Sequence, residues 1–227
     1  MNPMLRALAG LALIVPTAAG ARPSAPVKAK PAKPAPAIAP SVAARRVAEW
    51  VTASQDNHAL PWAVVDKTNA ALFLFDPQGK PLAAVPVLIG IAVGDEASPG
   101  VGSKTLAELG PAEKTTPAGR FLAKFGLPVA GERVLWVDYA TSVALHPIPK
   151  DVGPNEKRRA RMLSPTPDDN RITFGCINVP KAFYSSLLSP LFRKKGGYVY
   201  VLPDTKPLEA VFPLLRVQSV MNGNAGQ

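Results

Sequence analysis

Residues 62–91, WAVVDKTNAALFLFDPQGKPLAAVPVLIGI, decide the fold class of this chain. Trp62–Asp66 and Ala71–Phe75 are short runs rich in β-branched and aromatic residues, and Lys67-Thr68-Asn69-Ala70 between them predicts a hairpin. Asp76-Pro77-Gln78-Gly79 is a second turn, and an apolar strand is expected from Leu82 to Ile91. Working outward, Phe121–Phe125, Val134–Tyr139, Ser142–His146 and Tyr198–Leu202 repeat the strand pattern. Pro180–Phe192 reads as a helix, with proline at its start and Gly196-Gly197 beyond its end. Ser41–Gln55 reads as another, with Ser41 as cap and Val42, Ala43, Val47, Trp50 and Val51 at helical spacing. Many short strands with one or two short helices and one long inserted loop predict a mainly β domain, a sandwich or partly closed barrel. Such a core is large enough to fold without disulfides or metal.

The first forty residues have a different character. Met1–Arg6 is a short basic start, Ala7–Val15 a compact apolar run, and Ala19-Gly20-Ala21 supplies the small residues that a signal peptidase reads. Residues 1–21 are therefore expected to be a secretory signal, its apolar run too short to span a bilayer. Residues 22–40 carry six prolines among alanines and lysines, the composition of an extended linker. A helical segment over 41–58, a catalytic domain over 59–215 and a flexible tail over 216–227 complete the expected organisation. The formal charge is +10, and Arg6, Arg22, Lys28, Lys30 and Lys33 carry half of it with no acid among them. A basic linker suits an anionic envelope surface, whereas export argues against nucleic acid. The mature chain is expected outside the cytoplasm, in the periplasm or beyond, with no transmembrane anchor.

The stretch 147–171 interrupts the strand pattern. It holds Pro147, Pro149, Pro154, Pro165 and Pro167, the basic run Lys157-Arg158-Arg159-Ala160-Arg161, and Asp168-Asp169-Asn170-Arg171. So long a connection inside a small domain is usually a lid or a binding loop. Its basic run is either a solvated face, with a helical turn or two, or a surface for an acidic substrate.

Chemistry concentrates on the one cysteine, Cys176. In an exported chain a lone cysteine has no internal partner, and an unpaired thiol in an oxidising compartment argues for a use. It follows Gly175 in Thr173-Phe174-Gly175-Cys176-Ile177-Asn178, ahead of an expected helix. Glycine admits close approach of a substrate, and backbone N–H groups there can stabilise a thiolate or an oxyanion. A base must come from two histidines. His58 sits in a polar stretch and reads as incidental. His146 ends a strand and opens the long connection, so it is the candidate that takes the thiol proton. One cysteine and two histidines give poor support to a zinc site, and no cofactor is expected.

His146 followed by Thr173-Phe174-Gly175-Cys176-Ile177-Asn178 resembles the signature of the L,D-transpeptidases with a YkuD-type catalytic domain, a histidine, a spacer, then Ser/Thr-His-Gly-Cys, a hydrophobic residue and Asn or Arg. Thr115-Thr116-Pro117-Ala118-Gly119-Arg120-Phe121 is similar to the family's Thr-Pro-x-Gly-x-Phe turn and strand. The resemblance spans about Trp62 to Pro203. It implies a YkuD-like β-sandwich or partly closed barrel that crosslinks or edits peptidoglycan by acylating its cysteine with a stem peptide. It further implies Cys176 as nucleophile and His146 as base, the ring oriented by the carbonyl of Pro147. Thr173 and Asn178 would support the site's hydrogen bonds, and Gly175 and Cys176 N–H groups would be oxyanion donors. Two departures stand out. Phe174 replaces a second histidine, and His146 and Thr173 lie 27 positions apart, beyond the family's common interval. An acceptor amine, water, or a non-catalytic wall-binding role all remain open at this point. A thiol redox protein is disfavoured by the lack of a resolving cysteine.

Overall fold

The computed structural model describes residues 38–126, 133–150 and 152–216. The chain divides into Met1–Ala35 and Pro36–Gln227, and every described residue belongs to the second unit. The expected secretory signal, most of the linker and nearly all of the tail lie outside the described residues.

β1 (Trp62–Asp66) and β2 (Ala71–Phe75) form the expected antiparallel hairpin, from Trp62 opposite Phe75 to Asp66 opposite Ala71. The turn is held by the Asp66 carboxylate, which accepts from Asn69 N at 3.2 Å and Asn69 Nδ2 at 3.0 Å. Outward from β2 lies β3 (Pro81–Pro86), antiparallel to it. On the other side β1 pairs in parallel with Gly197–Val201. Beyond it come β5 (Gly119–Phe125), β6 (Leu135–Asp138), β7 (Val143–Pro147) and β9 (Ile177–Val179). With Gly197–Val201 as β10, the eight strands follow the order β3-β2-β1-β10-β5-β6-β7-β9. The fold is mainly β, as the alternation of short apolar runs requires.

Leu82–Ile91 is not one strand. β3 stops at Pro86, which has no N–H to continue the ladder, and Ile89–Gly90 forms a separate β4 beside β8 (Arg171–Thr173). Between them the backbone crosses from one sheet edge to the other. Val87 N donates to Ala70 O, while Leu88 exchanges two 2.9 Å bonds with Asn178 on β9. This crossing joins the first and last strands of the sheet, so the barrel is nearly closed.

Because β1 is covered on both sides, its residues are all buried. Ala63 and Val65 face a core with Leu72, Leu74, Leu145, Ile177 and Val199. Trp62 and Val64 face a second layer under α1 (Val42–Ser54), where Val47, Trp50 and Val51 are buried. Ser41 caps α1 by accepting from Ala44 N at 3.0 Å, and Gln55 ends it in the left-handed conformation.

The expected helix Pro180–Phe192 is present but not uniform. It comprises α3 (Lys181–Phe183), a π turn (Tyr184–Leu188) and α4 (Ser189–Phe192). Pro190 has no N–H to donate to the preceding turn, which accounts for the widening ahead of it. The basic run gives a short helix, α2 (Arg158–Met162), and α5 (Leu208–Val211) follows β10. Among the described residues no helix is long and apolar enough to cross a membrane.

Candidate active site

The parallel pair β7 and β9 sets the geometry, with Leu145 opposite Ile177 and His146 opposite Asn178. Leu145 and Ile177 point into the barrel core, so His146 and Asn178 project from the other face of the sheet. Cys176 immediately precedes β9. The helix expected ahead of Cys176 begins at Lys181, and a three-residue strand that was not expected lies between the two. Whatever stabilises charge at this thiol is not a helix terminus.

The loop that carries Cys176 is locked from both sides. Thr173 Oγ1 donates to Cys176 O at 2.6 Å and accepts from Gly175 N at 3.2 Å. Gly175 takes φ +122°, and a Cβ there would lie 2.8 Å from Thr115 O. Only glycine fits such a backbone at such a distance. Thr116, fully buried, donates to Gly175 O at 2.8 Å and accepts from Gly90 N at 2.8 Å. The Thr115-Thr116-Pro117 turn therefore seats the peptide next to the cysteine.

His146 is half-buried, with Nδ1 2.7 Å from Pro147 O and Nε2 3.4 Å from Asn178 Nδ2. The Cys176 thiol has Ser142 O as acceptor at 3.8 Å. Ser142 itself sits in a left-handed turn at φ +58° just before β7. Burial pushes the Cys176 thiol up, against the lowering influence of a backbone hydrogen bond from Ala144 and of the Arg158 charge. The thiol form is favoured in this state. Gly175 N–H is already committed to Thr173, which leaves the Cys176 N–H as the freer of the two expected oxyanion donors.

Arg158 is the residue that the sequence reading missed. Neither a solvated face nor an open binding surface describes it: the side chain is buried, with Nε 2.6 Å from Glu156 Oε2 and Nη1 3.0 Å from Asn178 Oδ1. Its spacing from Met162, also buried, places both on one face of α2. That spacing was the available signal. The connection is also tied down further along, where Asn170 Nδ2 donates to Val87 O at 2.7 Å. Phe174, in contrast, is turned outward with Lys114 Nζ 4.2 Å from its ring centroid. His58 is exposed and packs near Tyr198, its ring centroid 5.7 Å away.

No family model and no curated protein matches the sequence. Solved structures do. An L,D-transpeptidase from Xylanimonas cellulosilytica is similar at 14% identity and a TM-score of 0.38, over 63% of this chain and 60% of that one. The helical cell shape determining protein Pgp2 of Campylobacter jejuni is similar at 13% identity and a TM-score of 0.44, over 70% and 56%. The catalytic domain of the E. faecium L,D-transpeptidase gives 20% identity and a TM-score of 0.34, over 63% and 96%. The likeness is one of fold alone. This chain spans about three fifths of the length of the first two structures it matches.

Proposed function

We propose that this protein is an exported cysteine acyltransferase acting on peptidoglycan stem peptides. The observation that supports it most is local: His146 and Asn178 face each other across β7 and β9, next to a cysteine loop locked at Gly175. A rigid nucleophile loop beside an oriented imidazole is what acyl transfer needs, and a binding surface needs neither.

The steps follow from these groups. Cys176 Sγ leaves Ser142 O and passes its proton to His146 Nε2, whose partner Nδ1 is held at Pro147 O. Sulfur attacks the carbonyl of the diamino residue's L-centre, and the Cys176 N–H stabilises the oxyanion. The C–N bond breaks as the imidazolium gives its proton to the departing D-amino acid, leaving a thioester. An acceptor amine attacks that thioester, its proton goes to Nε2, and the C–S bond breaks to restore the cysteine. Water in place of the amine gives a carboxypeptidase or amidase through the same thioester. The basic linker holds the enzyme near an anionic envelope surface.

Incubating the mature chain with tetrapeptide muropeptides and recording intact mass tests the proposal. A Cys176 adduct is expected, absent in Cys176→Ala. Folded protein with no adduct and no turnover contradicts it. The raised thiol and its Ser142 partner favour one second reading, a non-catalytic wall-binding domain. Sedimentation with purified sacculi separates the two, because unchanged binding by Cys176→Ala together with no acylation of the wild type is the signature of a scaffold.

A further inference from the structure

We infer that Arg158, delivered by the long connection, is a positioning residue that keeps His146 neutral with its proton on Nδ1, by fixing which end of the Asn178 amide faces Nε2. The inference rests on the reading of His146 as the base for Cys176.

Donor and acceptor roles fix the orientation. A guanidinium only donates, so the Asn178 atom 3.0 Å from Arg158 Nη1 is the amide oxygen. The amide NH2 is then the end that faces His146 Nε2 at 3.4 Å, and an NH2 also only donates. Nε2 must accept, and the ring proton belongs on Nδ1, where Pro147 O accepts it at 2.7 Å. Turning the amide over would set NH2 against the guanidinium and oxygen against Nε2. That arrangement invites a second ring proton and gives imidazolium, which cannot take a proton from a thiol. Burial matters here, because Asn178 is fully buried and Arg158 nearly so, leaving little water to take over either role. Glu156 holds the guanidinium in place through Nε. Through Asn178 the ring reaches the charged groups Arg158 and, behind it, Glu156 from the connection, and the Arg158 charge also acts on the Cys176 thiol. The connection that lengthens the interval between His146 and Thr173 thus supplies part of the site instead of covering it.

The test is 15N NMR of histidine-labelled full chain across pH, which needs no muropeptide. There are two histidines, and exposed His58 is the internal reference. The wild type should show a protonated Nδ1 and an accepting Nε2. In Arg158→Met the His146 midpoint should rise by about one pH unit, with His58 unmoved. Arg158→Lys should restore part of the shift. Asn178→Asp keeps Arg158 but presents a carboxylate to Nε2, and should raise the midpoint as well. Superimposed His146 titrations in wild type, Arg158→Met and Asn178→Asp overturn the inference, as does a wild-type ring protonated on Nε2. A wild type that acylates Cys176 while those titrations superimpose retains the proposed function and loses only the role of Arg158. The expected ring behaviour without acylation retains that role and removes the function.

Discussion

Two buried cations flank the cysteine loop, and they differ in where their partners lead. Lys67 has no exposed side-chain surface, and its Nζ meets Gly94 O at 2.5 Å, Thr116 O at 3.0 Å, Asp95 Oδ1 at 3.1 Å and Asp204 Oδ2 at 3.2 Å. Asp95 also accepts from the backbone of Asp204, Thr205 and Lys206, and Asp204 also binds Arg171 Nη2 at 2.7 Å. Everything in that cluster ends on scaffold: it ties the end of β1 to the turn that seats Gly175. Arg158 is buried with fewer partners, and its chain runs through Asn178 to His146. A saturated buried cation fixes structure, whereas one whose contacts lead to the proposed base is placed to tune the proposed chemistry. Burial alone does not tell the two apart.

Substitutions at the two sites should part company. Lys67→Met leaves buried Asp95 without its cation and Asp204 with Arg171 alone, and about 3–5 kcal/mol of stability should disappear in urea unfolding. A loss under about 1 kcal/mol contradicts the scaffold role. Asp95→Asn should cost about 3 kcal/mol at neutral pH. Burial raises the Asp95 carboxyl, but the N–H groups of Asp204, Lys206 and Thr205 outweigh it and hold the carboxyl well below the usual range. The sign follows from linkage: a depressed folded-state value contributes stability in full above the ordinary carboxylate value of about 4, lost as pH falls through the folded value. The difference between wild type and Asp95→Asn should therefore shrink on acidification below about pH 4. Thr116→Val removes the bonds to Gly175 O and Gly90 N, leaves a buried carbonyl unpaired and should cost about 2 kcal/mol. It should also slow alkylation of Cys176, because the loop loses its seat. Arg158→Met should change stability least, by about 1 kcal/mol, since Glu156 is partly exposed. Its effect should appear instead in alkylation of Cys176, slower at neutral pH as the thiol loses a lowering charge. Equal alkylation rates for Arg158→Met and wild type would dissolve the contrast between the two cations.

The legible parts of this molecule are those in which local pattern and final environment agree. The β1–β2 hairpin, α1 and its Ser41 cap follow from alternation, helical spacing and a side-chain oxygen in the right place. β8 and β9 were not legible, because three-residue strands carry no period. The same shortness hid the strand between Cys176 and the helix that begins at Lys181. Pro86 could have signalled the break between β3 and β4, since a missing N–H interrupts a ladder. Lys67 offered no signal, as a lysine in a turn reads as solvated and its carboxylates come from residues far along the chain. The motif resemblance named Cys176, His146, Thr173, Gly175 and Asn178, which lie on β7, on β9 and along the turn from β8 to β9. Arg158 was hidden in a basic run whose charge masked its helical spacing from Met162.

The proposed chemistry stands or falls with Cys176 and His146 acting as one nucleophile–base pair, and the pH profile of Cys176 alkylation in wild type and His146→Ala probes that pair without a substrate. If His146 Nε2 takes the thiol proton, alkylation of His146→Ala below about pH 8 should fall about tenfold or more, with the two profiles converging where the thiol ionises unaided. Superimposed profiles across the whole range, in proteins that are equally folded, would contradict the pair.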